Sequence, residues 1–181
     1  MIISIERLKE RYPDISDVTQ DDLDALEDMI RHYTHNPFQN RAVRSKAYIK
    51  GGKIQWVSPY LKVGDTLQIT QSDYNTGIYT ITAITSEGIA VDKRLYDSEV
   101  QCLVTLVEYP PAIVRGLLDI ILWKDRNSKW NNGENTPVQS ETISRHSVTY
   151  QSDSTESDID ENFGVPKKYL AFMKLYKKAR F

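Results

Sequence analysis

The spacing of apolar residues changes twice along this chain, from helical to alternating near residue 46 and back to helical after residue 110. Residues 5–12 predict a short helix that Pro13 ends. From Thr19 to Thr34, apolar residues recur every three or four positions and predict a second helix with one buried face. Its start, T-Q-D-D, places an acidic residue three positions after a threonine, which is the arrangement of a capping box.

The alternating segment, residues 46–109, predicts short antiparallel strands. A G-G pair lies between alternating residues, as in a tight hairpin. Further strands are predicted around Leu67 and Ile69, after N-T-G, after S-E-G, and through V-Q-C-L-V-T-L-V. Five or six short strands separated by turn residues are typical of a small barrel or sandwich. Cys102, the one cysteine, is predicted to be a buried strand thiol.

Helical spacing returns at Pro110 and Pro111, which suit the first turn of a helix because the N–H that proline lacks would have no partner there. The apolar residues that follow cover more than one face, so this helix is predicted to be central and buried. Residues 140–150 predict one more strand, and residues 151–162 form an acidic polar strap. Residues 165–176 then predict a terminal helix with a basic end.

These elements predict an α+β protein. A small helical bundle core carries an inserted antiparallel β-barrel or sandwich domain and ends in a C-terminal strand–strap–helix arm. The predicted division is 1–45 for the N-terminal helices of the core, 46–109 for the inserted β domain, 110–133 for the central helix, and 134–181 for the C-terminal strand, acidic strap and docking helix. Such an insertion is compatible with folding because the entropic cost of closing a loop grows slowly with its length.

Composition narrows the classes of function. The 181 residues are 40% hydrophobic and 27% charged, with a net charge of −2, so bulk charge does not direct the chain to nucleic acid or to an anionic membrane. An apolar run of about 18 residues is lacking, so no membrane span is predicted. His32 and His35 lie three apart but lack a nearby third ligand of a suitable kind. Phosphate-binding, dinucleotide-binding and zinc-protease motifs are absent from the sequence. We therefore predict a protein that is not an enzyme and has no catalytic, cofactor-binding or metal-binding residues.

The β segment also suggests an alternative function. Small barrels bind single-stranded nucleic acid through exposed aromatic and basic side chains. The aromatic candidates are Trp56, Tyr60, Tyr74, Tyr79 and Tyr96, and the basic ones are Lys46, Lys50, Lys53, Lys62, Lys93 and Arg94. Aromatic residues in a small barrel also fill its core, so the alternative depends on which of these rings are exposed.

The C-terminal part of the chain resembles a known family. The segment S-E-T-I-S-R-H-S-V-T-Y is followed by the polar strap and then by V-P-K-K-Y-L-A-F-M-K-L-Y, a helix opened by proline and rich in aromatic and basic residues. Together with the N-terminal helix pair and the helix opened by Y-P-P-A-I, this order resembles the head–tail connector (adaptor) proteins of tailed siphophages. The segment from V-G-D-T-L-Q-I-T to V-T-L-V-E-Y-P is similar to a β insertion that some members carry between their core helices.

The resemblance implies a structural protein of the virion neck, made in the host cytoplasm. Its members form a homo-oligomeric ring beneath the portal protein, with the portal's twelvefold symmetry. The ring extends the channel for double-stranded DNA, which passes without sequence-specific binding, and recruits a downstream stopper, head-closure or tail protein. Carried over to this chain, the intersubunit strand positions are Ile143, Ser147, Val148 and Tyr150. The portal- or neighbour-docking positions are Tyr169, Leu170, Phe172, Met173 and Tyr176, with Lys167 and Lys168 beside them.

Overall fold

The computed structural model describes residues 1–127, 140–143, 146–149 and 159–179. The chain divides into two compact units. One contains residues 1–2 and 35–110 and is built from β-strands, and the other contains residues 3–34 and 111–181 and carries the helices. The prediction of helices combined with an antiparallel sheet is confirmed.

The N-terminal helices begin where the sequence predicts. Helix α1 spans Ile5–Arg11 and helix α2 spans Gln20–Thr34. The predicted capping box is present at the start of α2. The Thr19 hydroxyl accepts a hydrogen bond from the Asp22 backbone N–H at 3.3 Å, and the Asp22 carboxylate accepts one from the Thr19 N–H at 2.9 Å. Two backbone donors that the first helical turn leaves without an intrahelical partner are satisfied in this way.

Helix α3 spans Pro111–Arg126 and is the most apolar of the long helices, as its sequence predicts. Proline occupies its first position, and several of its side chains have almost no exposed surface. The fully buried residues are Ile113, Leu117, Ile120 and Ile121. Gly116 lies between them, and its lack of a side chain is used for a close contact with the terminal helix, described below.

The terminal helix predicted over residues 165–176 is present as a 3₁₀ helix, Lys167–Tyr176. In a 3₁₀ helix, residues three apart lie above one another. Leu170 and Met173 therefore share one face, and both are buried. The helix lies against both α2 and α3.

The strand unit is a closed antiparallel barrel of six strands. The strands are β1 (Gln39–Lys50), β2 (Lys53–Ile54), β3 (Thr66–Thr70), β4 (Gly77–Thr85), β5 (Gly88–Val91) and β6 (Ser98–Val107). Their order around the barrel is β1-β2-β5-β4-β3-β6, and β6 pairs back onto β1. Closure leaves no unpaired sheet edge between the first and last strands.

Strand β1 begins at Gln39, earlier than the change of period near residue 46 predicts. Its register against β6 shifts between Asn40 and Arg44, and of the three residues within the shift Arg41 and Ala42 are exposed and Val43 is half-buried. A β-bulge of this kind breaks the alternation of buried and exposed residues. The alternating pattern is therefore visible only in the second half of the strand, where Ala47 and Ile49 are buried.

The barrel interior is filled by aliphatic side chains, chiefly Ile49, Ile54, Leu67, Ile69 and Ile89. Cys102 is 1% exposed and donates a hydrogen bond from its thiol to the Ala47 carbonyl at 3.3 Å. Burial raises the pKa of this thiol. The prediction of a buried strand cysteine is confirmed.

Candidate functional site

The predicted interface strand is a two-stranded hairpin. Residues 140–150 were expected to form one strand, but the structure has β7 (Ser140–Ile143) and β8 (His146–Thr149), paired antiparallel. Thr142 pairs with Ser147, and Glu141 pairs with Val148. The expectation of a single strand is wrong because alternating polar and apolar residues do not reveal where a short run folds back on itself.

Among the described residues, β7 and β8 pair with each other and with no third strand. Three of the four predicted intersubunit positions lie in this hairpin: Ile143 closes β7, and Ser147 and Val148 are in β8. Tyr150 lies outside the described residues, as do residues 151–158 of the acidic strap. The hairpin therefore brings the predicted positions onto a sheet whose two outer edges have no partner strand in the described structure.

The end of the strap, from Ile159, is a compact loop. The Asp160 carboxylate accepts hydrogen bonds from the backbone N–H groups of Asn162, at 3.0 Å, and Phe163, at 3.1 Å. The Asp160 N–H donates to the Val165 carbonyl at 2.9 Å. Phe163 is buried, and its ring meets that of Tyr33 edge-on, with centroids 5.9 Å apart. This loop fixes the point at which the terminal helix begins.

The predicted docking residues of the terminal helix divide into two groups. Leu170 and Met173 are buried within their own unit. The Phe172 ring lies over Gly116 of α3, so close that a Cβ at Gly116 would be 2.3 Å from a ring carbon. These three side chains attach the terminal helix to its own chain.

The remaining docking candidates lie toward the outside of the helix. Lys167 and Lys168 are exposed, and Tyr169 and Tyr176 are half-buried. The Lys168 ammonium lies 5.4 Å from the centroid of the Tyr169 ring, whose other neighbour is Trp123 with a centroid distance of 6.2 Å. A lysine paired with an aromatic ring presents charge and apolar surface together.

Leu175 is an exposed side chain on this helix that the sequence pattern did not single out. It is 83% exposed, the highest value for a large hydrophobic residue in the described structure. Leu175 lies five positions after Leu170 and two after Met173, so it does not share their buried face in a helix whose residues align every three positions. Tyr169, Phe172 and Leu175 follow one another at intervals of three, and this spacing is the sequence signal that would have placed Leu175 on their face of a 3₁₀ helix.

The barrel aromatics also divide into core and surface. Tyr79 is 7% exposed and lies in the barrel core, and Trp56 is half-buried and packs against that core. Tyr60, Tyr74 and Tyr96 are exposed, and so is Tyr48, which was not among the candidates. The single-strand alternative therefore rests on fewer of the predicted rings, plus one that the sequence reasoning missed.

The two histidine candidates lie at the C-terminal end of helix α2. His32 lies 3.5 Å from the Asp28 carboxylate, one helical turn earlier, and His35 has a left-handed backbone with φ of 49°. Within the described ranges, no group of three or more histidine, cysteine or acidic residues is placed to hold a metal ion. The helices in those ranges are too short or too polar to cross a membrane.

Comparison with known proteins adds no assignment: no protein-family model matches the chain, and no curated protein matches it.

Proposed function

We propose that this chain is a structural head-to-tail connector subunit of a phage neck. It forms a ring beneath the portal, extends the DNA channel and recruits the next neck protein, either a stopper or head-closure protein or a tail protein. In this proposal the helices form the core of the subunit, the β-barrel is an insertion, and the hairpin, strap and terminal helix form the assembling arm. The subunit acts in the virion neck after synthesis in the host cytoplasm.

The observation that carries the proposal is the β7–β8 hairpin, which pairs with no third strand among the described residues. An isolated two-stranded sheet is marginally stable in water, and its outer edges present unpaired N–H and C=O groups. Strands from other subunits satisfy such edges by extending the sheet. A ring of identical subunits needs a head-to-tail contact of this kind, in which two different surfaces meet and the rotation closes.

The intersubunit positions in this proposal are Ile143, Ser147, Val148 and Tyr150. Because the hairpin pairs Thr142 with Ser147 and Glu141 with Val148, an added strand contacts either β7 or β8, one on each edge. One hairpin thereby serves two neighbours, as a closed twelvefold ring requires of each subunit.

The second contact of the proposal is the outer surface of the terminal helix. Lys167, Lys168 and Tyr169 at the start of this helix and the exposed Leu175 near its end provide cations and apolar surface on one element. Apolar anchors surrounded by charge are typical of docking surfaces, and these cations suit a portal surface that carries carboxylates. Leu170, Phe172 and Met173 contribute indirectly, because they hold the helix in place.

The net charge of −2 is compatible with a DNA conduit. Contacts between phosphates and a strongly basic lumen would retain the passing duplex. The proposed ring therefore encloses double-stranded DNA without binding a particular sequence. It requires no cofactor and no catalytic residue.

Leu175→Ser tests the terminal-helix contact. Because Leu175 is 83% exposed, its replacement should leave folding unchanged, whereas loss of an apolar anchor at a docking surface should weaken binding to the portal by about 5-fold or more. Binding of the variant and of the wild type to portal rings is measured by co-sedimentation. Val100→Ser, at a barrel residue that is 66% exposed, is the matched control and should bind as the wild type does. Equal binding by the Leu175 variant would contradict the contact.

A further inference from the structure

Three connections of the barrel meet at one of its ends. Strand β1 ends beside the start of β6, where Ile49 pairs with Ser98. Strand β3 ends beside the start of β4, where Ile69 pairs with Gly77. The β1–β2 turn at residues 51–52, the β3–β4 connection at residues 71–76 and the β5–β6 connection at residues 92–97 are therefore neighbours. Residues 35–110 are described throughout, so this end of the barrel is complete.

Asn75 joins two of these connections. It is fully buried, and its side-chain amide forms two hydrogen bonds with the backbone of Tyr96: its nitrogen donates to the carbonyl at 2.8 Å, and its oxygen accepts from the N–H at 2.8 Å. The Tyr79 hydroxyl, from the barrel core, donates to the Asn75 carbonyl at 3.0 Å. A buried amide with these partners fixes both connections, because breaking any of the bonds leaves a polar group unsatisfied.

Asp97 joins the third connection to the other two. Its two carboxylate oxygens accept hydrogen bonds from the backbone N–H groups of Gly51 and Gly52, each at 3.0 Å. Both glycines have positive φ, 58° and 69°, as the tight turn requires. The neighbouring residue Tyr96 is thus held between two fixed points, Asn75 and Asp97.

Exposed tyrosines surround this fixed network. Tyr74 precedes Asn75 and is 78% exposed, Tyr96 is 52% exposed, and Tyr48 near the end of β1 is 40% exposed. Two of these rings have a cation beside them. The Lys50 ammonium lies 5.6 Å from the centroid of Tyr48, and the Arg94 guanidinium lies 5.1 Å from the centroid of Tyr96.

Charged residues of both signs lie at this end of the barrel. The cations there are Lys50, Lys93 and Arg94, and the carboxylates are Asp73, Asp92, Asp97 and Glu99. Two of the carboxylates are turned to the protein backbone: Asp92 accepts from the Thr80 N–H at 2.8 Å, and Asp97 binds the glycine turn. These hydrogen bonds offset part of their negative charge, whereas Lys50 and Arg94 lie beside exposed rings.

We propose that this end of the barrel, the Tyr48–Tyr74–Tyr96 surface, binds a short stretch of single-stranded nucleic acid. Bases stack on the tyrosine rings, and the phosphates between them contact Lys50 and Arg94. A single strand is favoured over a duplex because stacking on a side chain requires an unpaired base. It is favoured over a protein partner because exposed aromatic rings with basic side chains on a small barrel are the arrangement that binds single strands. This activity is additional to the connector function and does not depend on it.

The test is fluorescence anisotropy of a fluorescein-labelled oligothymidylate 12-mer titrated with the full chain at low salt. Stacking on one aromatic side chain contributes about 1–3 kcal/mol per base, so Tyr74→Ala and Tyr96→Ala should each weaken binding by about 5- to 150-fold. Tyr96→Phe keeps the ring and should restore most of the affinity. The salt dependence should be shallow, with a slope no steeper than about −2, because three cations contact at most about three phosphates.

Tyr60→Ala is the matched control. Tyr60 is 72% exposed on the connection that leads into β3 at Thr66, which pairs with Val107 at the opposite end of the barrel. Tyr60 was an aromatic candidate in the sequence but is not part of the Tyr48–Tyr74–Tyr96 surface, so its replacement should leave the affinity unchanged. Replacing Arg94 by Gln should weaken binding and make the salt slope shallower by about 0.7, the contribution of one phosphate contact.

Several results would overturn the proposal: no binding of the 12-mer, equal or tighter binding of the corresponding duplex, or equal losses for Tyr60→Ala and Tyr74→Ala. If the 12-mer does not bind but Tyr74→Ala abolishes binding to portal rings, the surface docks a protein instead. Because the titration uses the chain without the portal, its failure leaves the connector proposal intact, and failure of the connector proposal leaves this one intact.

Discussion

Gly116 illustrates how one residue decides the packing of a whole element. Glycine in the interior of a helix costs about 1 kcal/mol relative to alanine, so a glycine within the apolar run of α3 needs a compensating contact. The Phe172 ring supplies it by lying where a Cβ would be, at 2.3 Å from the nearest ring carbon. The terminal helix thus contacts α3 through the Phe172 ring, which packs directly on the Gly116 backbone.

Gly116→Ala should destabilise the helical unit although alanine favours a helix. The added methyl overlaps the Phe172 ring, and overpacking of this kind costs about 1–3 kcal/mol, which is more than the gain in helix propensity. The free energy of unfolding is measured by chemical denaturation. The double variant Gly116→Ala/Phe172→Ala should lose less than the sum of the two single variants, since the clash is removed. Additive losses, or a stabilised Gly116→Ala, would show that the two residues do not meet.

At the scale of elements, the hydrogen bonds of Asp97 determine the conformation of the β1–β2 turn. The backbone N–H groups of Gly52 and Gly51 lower the pKa of the Asp97 carboxyl. A carboxyl whose pKa is lower in the folded state stabilises the fold above its unfolded pKa, and the contribution is lost as the pH falls through the folded value. The turn should therefore loosen only in strong acid.

An NMR titration of the Gly51 and Gly52 amide protons measures this effect. Their shifts should change with an inflection below about 3.9, the ordinary pKa of an aspartate. Asp97→Asn should remove the inflection and leave the barrel folded, because the amide oxygen still accepts one hydrogen bond. An inflection at or above the ordinary value would mean that the carboxylate does not bind the turn in solution.

Ser147→Pro tests the role of the β7–β8 hairpin. Ser147 pairs with Thr142, and proline both removes the backbone N–H and disfavours a paired strand position. Association with portal rings should be lost in co-sedimentation. Ser147→Ala keeps the backbone donor and should associate normally. Thermal unfolding of both variants should match that of the wild type, because no other described strand pairs with the hairpin. Normal association of the proline variant would exclude the hairpin as the intersubunit contact.

Elements with local signals were predictable from the sequence, and elements defined by distant contacts were not. The capping box at Thr19, the G-G turn and the prolines before α3 each act through neighbouring residues, so their sequence shows them. The terminal helix lies against α2 and α3, and spacing alone does not reveal these distant contacts or the 3₁₀ form of the helix. The bulge in β1 is defined by pairing with β6, which is distant in sequence, so the alternating pattern did not predict the first half of β1.

The candidate surfaces were predictable only in part. The terminal helix was predicted to carry docking residues, but the sequence did not show which of its side chains are exposed. Leu170 and Met173, two predicted docking residues, are buried, whereas Leu175, which was not predicted, is exposed. In the barrel, the sequence offers tyrosines without indicating which are exposed. Tyr79 and Tyr96 differ because one lies in β4 facing the core and the other lies on a connection. Which tyrosines are exposed depends on the tertiary structure, and it could not be predicted from the single sequence.

For the whole molecule, the two compact units suggest a division of labour. The helical unit carries the terminal helix, and the hairpin belongs to the same unit, so both proposed assembly contacts come from one part of the chain. The barrel unit carries the Tyr48–Tyr74–Tyr96 surface and encloses its own core. A domain with its own core can add a binding activity without changing the contacts of the proposed ring.

The central claim, that this chain assembles on a portal, is tested most directly by negative-stain electron microscopy of the chain mixed with the portal protein encoded by the same genome. Each protein alone is the reference. The account predicts an additional ring layer stacked on one end of the portal, with the portal's twelvefold symmetry. A portal without an added layer, and a chain that remains a free monomer in the mixture, would contradict it.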